Sequence, residues 1–454
     1  MLGYKPPQNT YSLAASARSA STFATLGFFL LPFENLAIAP SAGWPAIAPI
    51  FFFASVLLSL NSMSFSVAKV RTVVALVIIS SCGWISTYVL GLDNRFFVRD
   101  VFDAFAALTL GVCFAICLAR VFRPGVRADL QIRGYLNAYA LGSTIAIGTS
   151  SLLYLLSKAG VSFASYLALI ILKRNEEMNR FAFFFAEPSF VSVHILGVLI
   201  PLTWLAWRLD LTLERNRLLG LGLAYILISV LLLDSARFWI DMCFLAATSA
   251  FFYITRSFKK VSIKTLLFAM TIALPTSNFI LFNEGLLGSL TMGRVQASDD
   301  LLITLNSDDS LASRFFRTDA AYQAWKEYPQ YLITGAGFGN IGALIDVGYQ
   351  KALDNFRSSY MKEVIQIGES GSGPNIFNMH AKTIGEFGLI VYLLLLFALF
   401  DRRFCFLFLT IFWCYLQFDS YAFYGLWIYV VARACLPLIE KPTKQTKIGI
   451  ENAS

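Results

Sequence analysis

The chain has 454 residues, of which 57% are hydrophobic and only 14% charged, against about 25% charged residues in soluble domains. That composition, with a mean hydropathy of +0.65, excludes a water-soluble globule, and apolar runs of about 18 to 20 residues recurring along the chain make the bilayer its solvent. The net charge of +8 would suggest nucleic acid in a soluble protein, but membrane insertion itself requires basic loops, so no nucleic-acid partner is expected.

Hydropathy and loop punctuation predict twelve spanning helices, near 20–38, 44–62, 72–91, 101–120, 134–157, 187–207, 218–233, 236–255, 265–283, 376–400, 404–418 and 421–439. The expected fold is an all-α polytopic membrane protein. Residues 1–283 hold the first nine helices, 284–375 form a large, partly helical outer loop, and 376–454 hold the last three helices and a tail. The first apolar stretch carries Lys5 and Arg18 without a cleavage pattern and reads as an uncleaved helix. An inside N-terminus places 20 of the 36 basic residues and only six of the 28 acidic ones on the inner side. That asymmetry follows the positive-inside rule and puts both termini in the cytoplasm.

Two hydrophilic segments, Glu284 to Asn375 and Lys158 to Ala186, then face outward. The short inner loops contain no Walker A pattern and no paired aspartates for a metal nucleotide, which excludes a cytoplasmic nucleotide-driven enzyme. Six of the seven cysteines (Cys82, Cys113, Cys117, Cys243, Cys414 and Cys435) sit in apolar runs without paired short spacing and read as packing residues.

Four outer groups carry residues suited to chemistry. The first runs from Asn179 and Arg180 through Phe184 to Glu187-Pro188-Ser189. Pro188 fits a first helical turn and Glu187 its positive end, so the group reads either as a helix start or as a carboxylate orienting a sugar hydroxyl. The second is Asp234-Ser235-Ala236-Arg237, in a very short turn between two spans. Arg237 reads as a snorkelling side chain or as a planar clamp for a diphosphate. In the third, Arg314 and Arg317 lie three apart and share a helix face, followed by Pro329 and by Gly335-Ala336-Gly337-Phe338-Gly339. No strand precedes those glycines, so a tight turn after a helix explains them better than a phosphate loop.

The fourth group is Asn378-Met379-His380-Ala381-Lys382, continuing to Glu386-Phe387-Gly388, where the outer loop re-enters the membrane. Of the two histidines, His194 lies on an apolar helix with no charged neighbour in sequence and reads as a packing residue. His380, with Lys382 and Glu386 nearby, can take or give a proton near neutral pH.

In this order and on one membrane face, these groups resemble the O-antigen polymerase and O-antigen ligase superfamily. The matching pieces are Phe184 to Ser189 as Phe-x-x-Glu-Pro-Ser, Ser235 to Arg237 as Ser-x-Arg, Arg314 fifteen residues before Pro329, then Gly335 to Gly339, and His380 followed by Glu386-Phe387-Gly388. The resemblance implies a GT-C-like membrane glycosyltransferase of the bacterial inner membrane with its active site facing the periplasm. Its donor would be an undecaprenyl-diphosphate-linked oligosaccharide, with no metal and no other cofactor. Membrane lipid is an implied partner, and there is room for a chain-length regulator.

Carried over by position, Arg237 and Arg314 would grip the diphosphate, helped by Arg317 and Arg180. His380 would stand near the reacting hydroxyl, with Glu187 and Glu386 as the other acid–base candidates. Ligases often show a His-Asn pair where this chain has His380-Ala381, and Glu-Pro-Ser is more typical of polymerases. Both points favour a Wzy-type polymerase over a ligase. A flippase of the same lipid-linked sugar would also have twelve spans, but would place polar groups within them.

Overall fold

The computed structural model describes residues 9–34, 47–60, 67–89, 98–122, 128–172, 181–185, 187–233, 235–257, 309–356, 376 and 378–451. The predicted span at 265–283 lies outside them. No β-strand occurs among the described residues. In chain order the helices are α1 (Asn9–Leu30), α2 (Ala48–Leu57), α3 (Val67–Val89), α4 (Val98–Arg120), α5 (Ala128–Lys158), α6 (Ser162–Leu172), α7 (Pro188–Arg208), α8 (Thr212–Leu232) and α9 (Ala236–Ser257). They continue with α10 (Asp309–Glu327), α11 (Ile341–Phe356), α12 (Met379–Phe387), α13 (Leu389–Leu399), α14 (Cys405–Tyr415) and α15 (Tyr424–Glu451).

Among the described residues four helices, Val98–Arg120, Leu130–Lys158, Pro188–Arg208 and Thr212–Leu232, are long and apolar enough to cross a membrane. Shorter apolar helices lie at Ser19–Leu30, Ala48–Leu57, Val77–Val89 and Leu389–Leu399. The protein is therefore an all-helical, membrane-embedded one, in which each helix satisfies its own backbone polar groups. The tenth predicted span, 376–400, is two helices: Gly388, at φ +84° and ψ +159°, stops α12 and starts α13. The predicted outer loop is helical over α10 and α11.

The chain forms two compact units. The first comprises 1–64, 109–238 and 422–454, and the second 65–108 and 239–421. In the first unit, Phe28 of α1 stacks on Tyr135 of α5 with ring centres 4.6 Å apart, and packs beside Phe52 and Phe114. Gly142 lets α5 approach the α1 backbone at Phe29, where any side chain would overlap the Phe29 carbonyl. Between α1, α2 and α4, Ser55 donates to the Ala20 carbonyl at 2.7 Å, and Arg120 donates to the Ser55 carbonyl and to Ser59. Arg133 of α5 pairs at 3.3 Å with Glu214 of α8, whose carboxylate is almost fully buried.

The α7 span is not a regular helix. Pro188–His194 and Ile200–Arg208 are α-helical, and Ile195–Leu199 between them is a π-helical segment. Gly197 lies in that segment, against the Phe423 ring.

In the second unit α10 and α11 form a close helical pair. Ala320, Ala321 and Ala324 are fully buried, and Gly348 faces them so tightly that a Cβ would overlap the Ala320 carbonyl. Small residues let two backbones approach, and Phe316, Leu344 and Ile345 fill the space around them. Elsewhere in the unit, Asp241 of α9 is buried and accepts from Trp413 at 2.7 Å and from Gln417 at 3.2 Å.

Candidate functional site

The second unit joins two of the sequence motifs. A helical turn at Tyr331–Thr334 ends on Gly335, and Gly335, Gly337 and Gly339 all take positive φ, at +66°, +93° and +72°. Each of the three lies where a Cβ would collide: Gly335 against the Glu386 carbonyl, Gly337 against the Trp84 ring, and Gly339 against Val101 and Ala104. The turn is fastened to the C-terminal half of α12 by Ala336 N–H donating to the Gly385 carbonyl at 2.7 Å and Gly337 N–H to the Glu386 carbonyl at 3.0 Å. From α3, Trp84 Nε1 donates to the Phe338 carbonyl at 3.2 Å and Thr87 to the Ala336 carbonyl at 3.1 Å. The Gly-x-Gly-x-Gly pattern is thus a turn that brings backbone against backbone, as expected for a tight turn after a helix.

Glu386 sits directly behind this turn and is fully buried. Tyr421 donates its hydroxyl to Oε2, and the Lys382 ammonium and the Gly339 N–H face the same carboxyl. Lys382 also donates to the Asp419 carbonyl at 3.2 Å and lies over the Tyr421 ring. A fully desolvated carboxyl needs such partners, because burial without them is costly.

His380 opens α12. Asn378 caps the helix, accepting from the His380 and Ala381 N–H groups at 3.0 and 3.2 Å. The imidazole points to other partners than Glu386. Its Nε2 is 3.0 Å from the Phe412 carbonyl and its Nδ1 is 3.0 Å from the Tyr392 hydroxyl. A carbonyl only accepts, so Nε2 carries the hydrogen and Nδ1 offers the lone pair, to which Tyr392 donates. The face of the ring packs on Phe412, with centres 4.1 Å apart.

The other candidates are distributed as follows. Arg317 is buried on α10, close to Tyr349 of α11; burial pushes the Tyr349 phenol up, and the guanidinium opposes that shift. Arg314 belongs to the same helix, and its side chain and all of Arg180 lie outside the described residues. Glu187 and Arg237 belong to the first unit. Glu187 is exposed in the extended residue before α7, with Pro188 at the first helical position, and accepts from Ser189 at 3.1 Å. Arg237 is 8% exposed in the first turn of α9, where Ser235 accepts from the Phe238 N–H at 3.4 Å. A guanidinium in the first turn opposes the helix dipole, so helix stability does not explain its place there.

Tyr421, Tyr392, Trp84 and Thr87 hold these groups in position and carry no sequence signal, since each is one aromatic or hydroxyl residue within an apolar stretch. Among the described residues no three His, Cys, Asp or Glu side chains gather as a metal site. No family model matches the chain, and no curated protein and no solved structure matches it.

Proposed function

We propose that this protein is a membrane glycosyltransferase that polymerises undecaprenyl-diphosphate-linked oligosaccharide repeats on the periplasmic face of the bacterial inner membrane. The observation that carries the reading is the union of two separate motifs: the glycine turn at 335–339 is hydrogen-bonded to Gly385 and Glu386, some 50 residues further along the chain. Motifs that act together need such a shared scaffold.

In this reading Arg237, Arg314, Arg317 and Arg180 are each candidates for the diphosphate, Arg237 and Arg314 first among them, and a fixed guanidinium charge stabilises the leaving oxygen without a metal. His380 is the base. Its Nδ1 already accepts a phenolic hydroxyl, and an acceptor sugar hydroxyl would take the place of Tyr392. The acceptor O–H proton moves to Nδ1, the freed oxygen attacks the anomeric carbon, and the bond to the lipid diphosphate breaks. Glu386 fixes the glycine turn behind α12, and Glu187 orients a hydroxyl.

Purified protein incubated with a lipid-linked repeat unit tests the proposal. A polymer ladder on lipid is expected, and Arg237→Lys or Arg314→Lys should abolish it nearly as well as Ala, because an ammonium lacks the planar fork. Transfer only to lipid A core would select a ligase instead. Buried polar groups within the spans, Arg133 with Glu214 and His194 with Tyr139, favour a second reading as a flippase of the same lipid. Donor that survives intact in detergent would establish that reading over the polymerase.

A further inference from the structure

His194 looks like a packing residue in sequence, yet its imidazole is buried among polar groups contributed by several segments of the first unit. Tyr139 of α5 lies with its hydroxyl 2.9 Å from Nε2. Glu34, four residues beyond the end of α1, brings Oε1 to 3.8 Å from Nδ1. Tyr225 of α8 stands with its ring centre 5.8 Å from the imidazole, and Phe185 closes another side at 4.8 Å. Ser143, one helical turn after Tyr139, and the Tyr225 hydroxyl are buried nearby without a hydrogen-bond partner among the described residues. The titratable groups around the ring are therefore Glu34, Tyr139 and Tyr225, with Tyr424 of α15 also near Glu34.

Two features separate this cluster from ordinary packing. Nδ1 is buried without a hydrogen-bond partner among the described residues, and the nearest acceptor is the Glu34 carboxylate. The helix also departs from α geometry at the residue after His194, in the π segment Ile195–Leu199. Such segments cost helix regularity and concentrate at functional sites. Ionisable side chains kept inside a membrane unit, where each is expensive, point the same way.

We propose that Glu34, His194 and Tyr139 form an acid–base site that carries a proton between the Tyr139 phenol and the Glu34 carboxylate. At rest Tyr139 donates its O–H to Nε2, and the ring hydrogen sits on Nδ1 and points towards Glu34. In the transfer the Tyr139 O–H bond breaks, its electron pair stays on the phenolate oxygen, and an N–H bond forms at Nε2. The Nδ1 proton passes to Glu34, so the ring ends neutral in its other tautomer. Glu34, whose side chain is 31% exposed, releases the proton to water. The site resets along the same path in reverse: Glu34 takes a proton from water and returns it to Nδ1, while the Nε2 proton goes back to the phenolate oxygen and the Tyr139 O–H bond re-forms. The order carboxylate, imidazole, hydroxyl is that of known acid–base triads, in which the carboxylate fixes the tautomer.

The test needs no glycosyl donor, so its outcome is separate from that of the proposed function. The chain has two histidines, and ¹⁵N-histidine labelling gives two imidazole spin systems. The expected result is one of each tautomer: Nδ1–H for His194, and Nε2–H for His380, whose Nε2 faces the Phe412 carbonyl. His194→Gln or His380→Gln assigns the signals, and the unsubstituted protein already shows whether both tautomers are present. Infrared difference spectra across a pH step should then show a tyrosine band that changes together with a carboxyl band. Both changes should disappear in Glu34→Gln, the tyrosine change should disappear in His194→Gln, and Glu34→Asp should retain both. Two Nε2–H rings, or a tyrosine response that survives in His194→Gln, would overturn the proposal.

Discussion

Replacing Gly335 or Gly388 by alanine probes the turn that joins the two motifs. Gly388 has φ +84° and ψ +159°, and Gly335 φ +66° and ψ +175°. Side chains avoid this region, and holding a residue there costs about 1–3 kcal/mol. A Cβ on Gly388 would also overlap the Ile333 carbonyl, and one on Gly335 the Glu386 carbonyl. Both obstacles are backbone, so relief means moving a packed helix, which adds about 1–3 kcal/mol more. Gly134 and Gly148 of α5 provide the opposite case, with nothing within 4 Å of a built Cβ. There alanine gains up to about 1 kcal/mol of helix propensity. Tryptophan fluorescence during heating in detergent measures the difference. With about 2–4 °C per kcal/mol for a unit of 150–250 residues, a total of about 2–6 kcal/mol means that Gly335→Ala and Gly388→Ala should lower the midpoint by roughly 4–24 °C, while Gly134→Ala and Gly148→Ala should leave it unchanged or raise it. Midpoints for the first pair at or above that of the parent protein would refute the account of the turn.

Three further outcomes use the same assay. Tyr421→Phe removes the hydroxyl that serves the buried Glu386 carboxyl and should cost about 1–3 kcal/mol. Asp241→Ala leaves the Trp413 and Gln417 donors unserved, costing about 2–4 kcal/mol, and should change the Trp413 emission as well; unchanged emission would count against that contact. Arg133→Ala strips the partner from the buried Glu214, but Arg133 itself is 42% exposed, so the loss should stay near about 1–3 kcal/mol. A double variant with Glu214→Gln should be no worse than Arg133→Ala alone.

Helices were legible from hydropathy because a span must be apolar for its whole length whatever it packs against. The predicted 101–120 and 187–207 correspond to Val98–Arg120 and Pro188–Arg208. The break at Gly388 was not, since an apolar window averages over a single residue and the cause is the approach of Ile333 from another segment. In the candidate site, the cap on His380 and the tight glycine turn follow from local chemistry. Tyr421 and Tyr392 could not be assigned, because a tyrosine in an apolar run has the same sequence signature whether or not it meets a carboxyl or an imidazole. The charged neighbour of His194 is Glu34, 160 positions away, and no local pattern connects them.

The π segment at Ile195–Leu199 makes α7 respond unequally to insertions and deletions, in a way that its composition conceals. A π turn holds one more residue than an α turn, so losing one position there would let the helix close as α with Pro188–His194 still nearly in phase with Ile200–Arg208. Gaining one position has no such outlet, and at about 100° per residue it would swing His194 towards a different neighbour. In a mutational scan a single-codon deletion at Ile195, Leu196 or Val198 should therefore be tolerated about as well as a conservative apolar exchange, whereas a single-codon insertion should behave like loss of His194 itself.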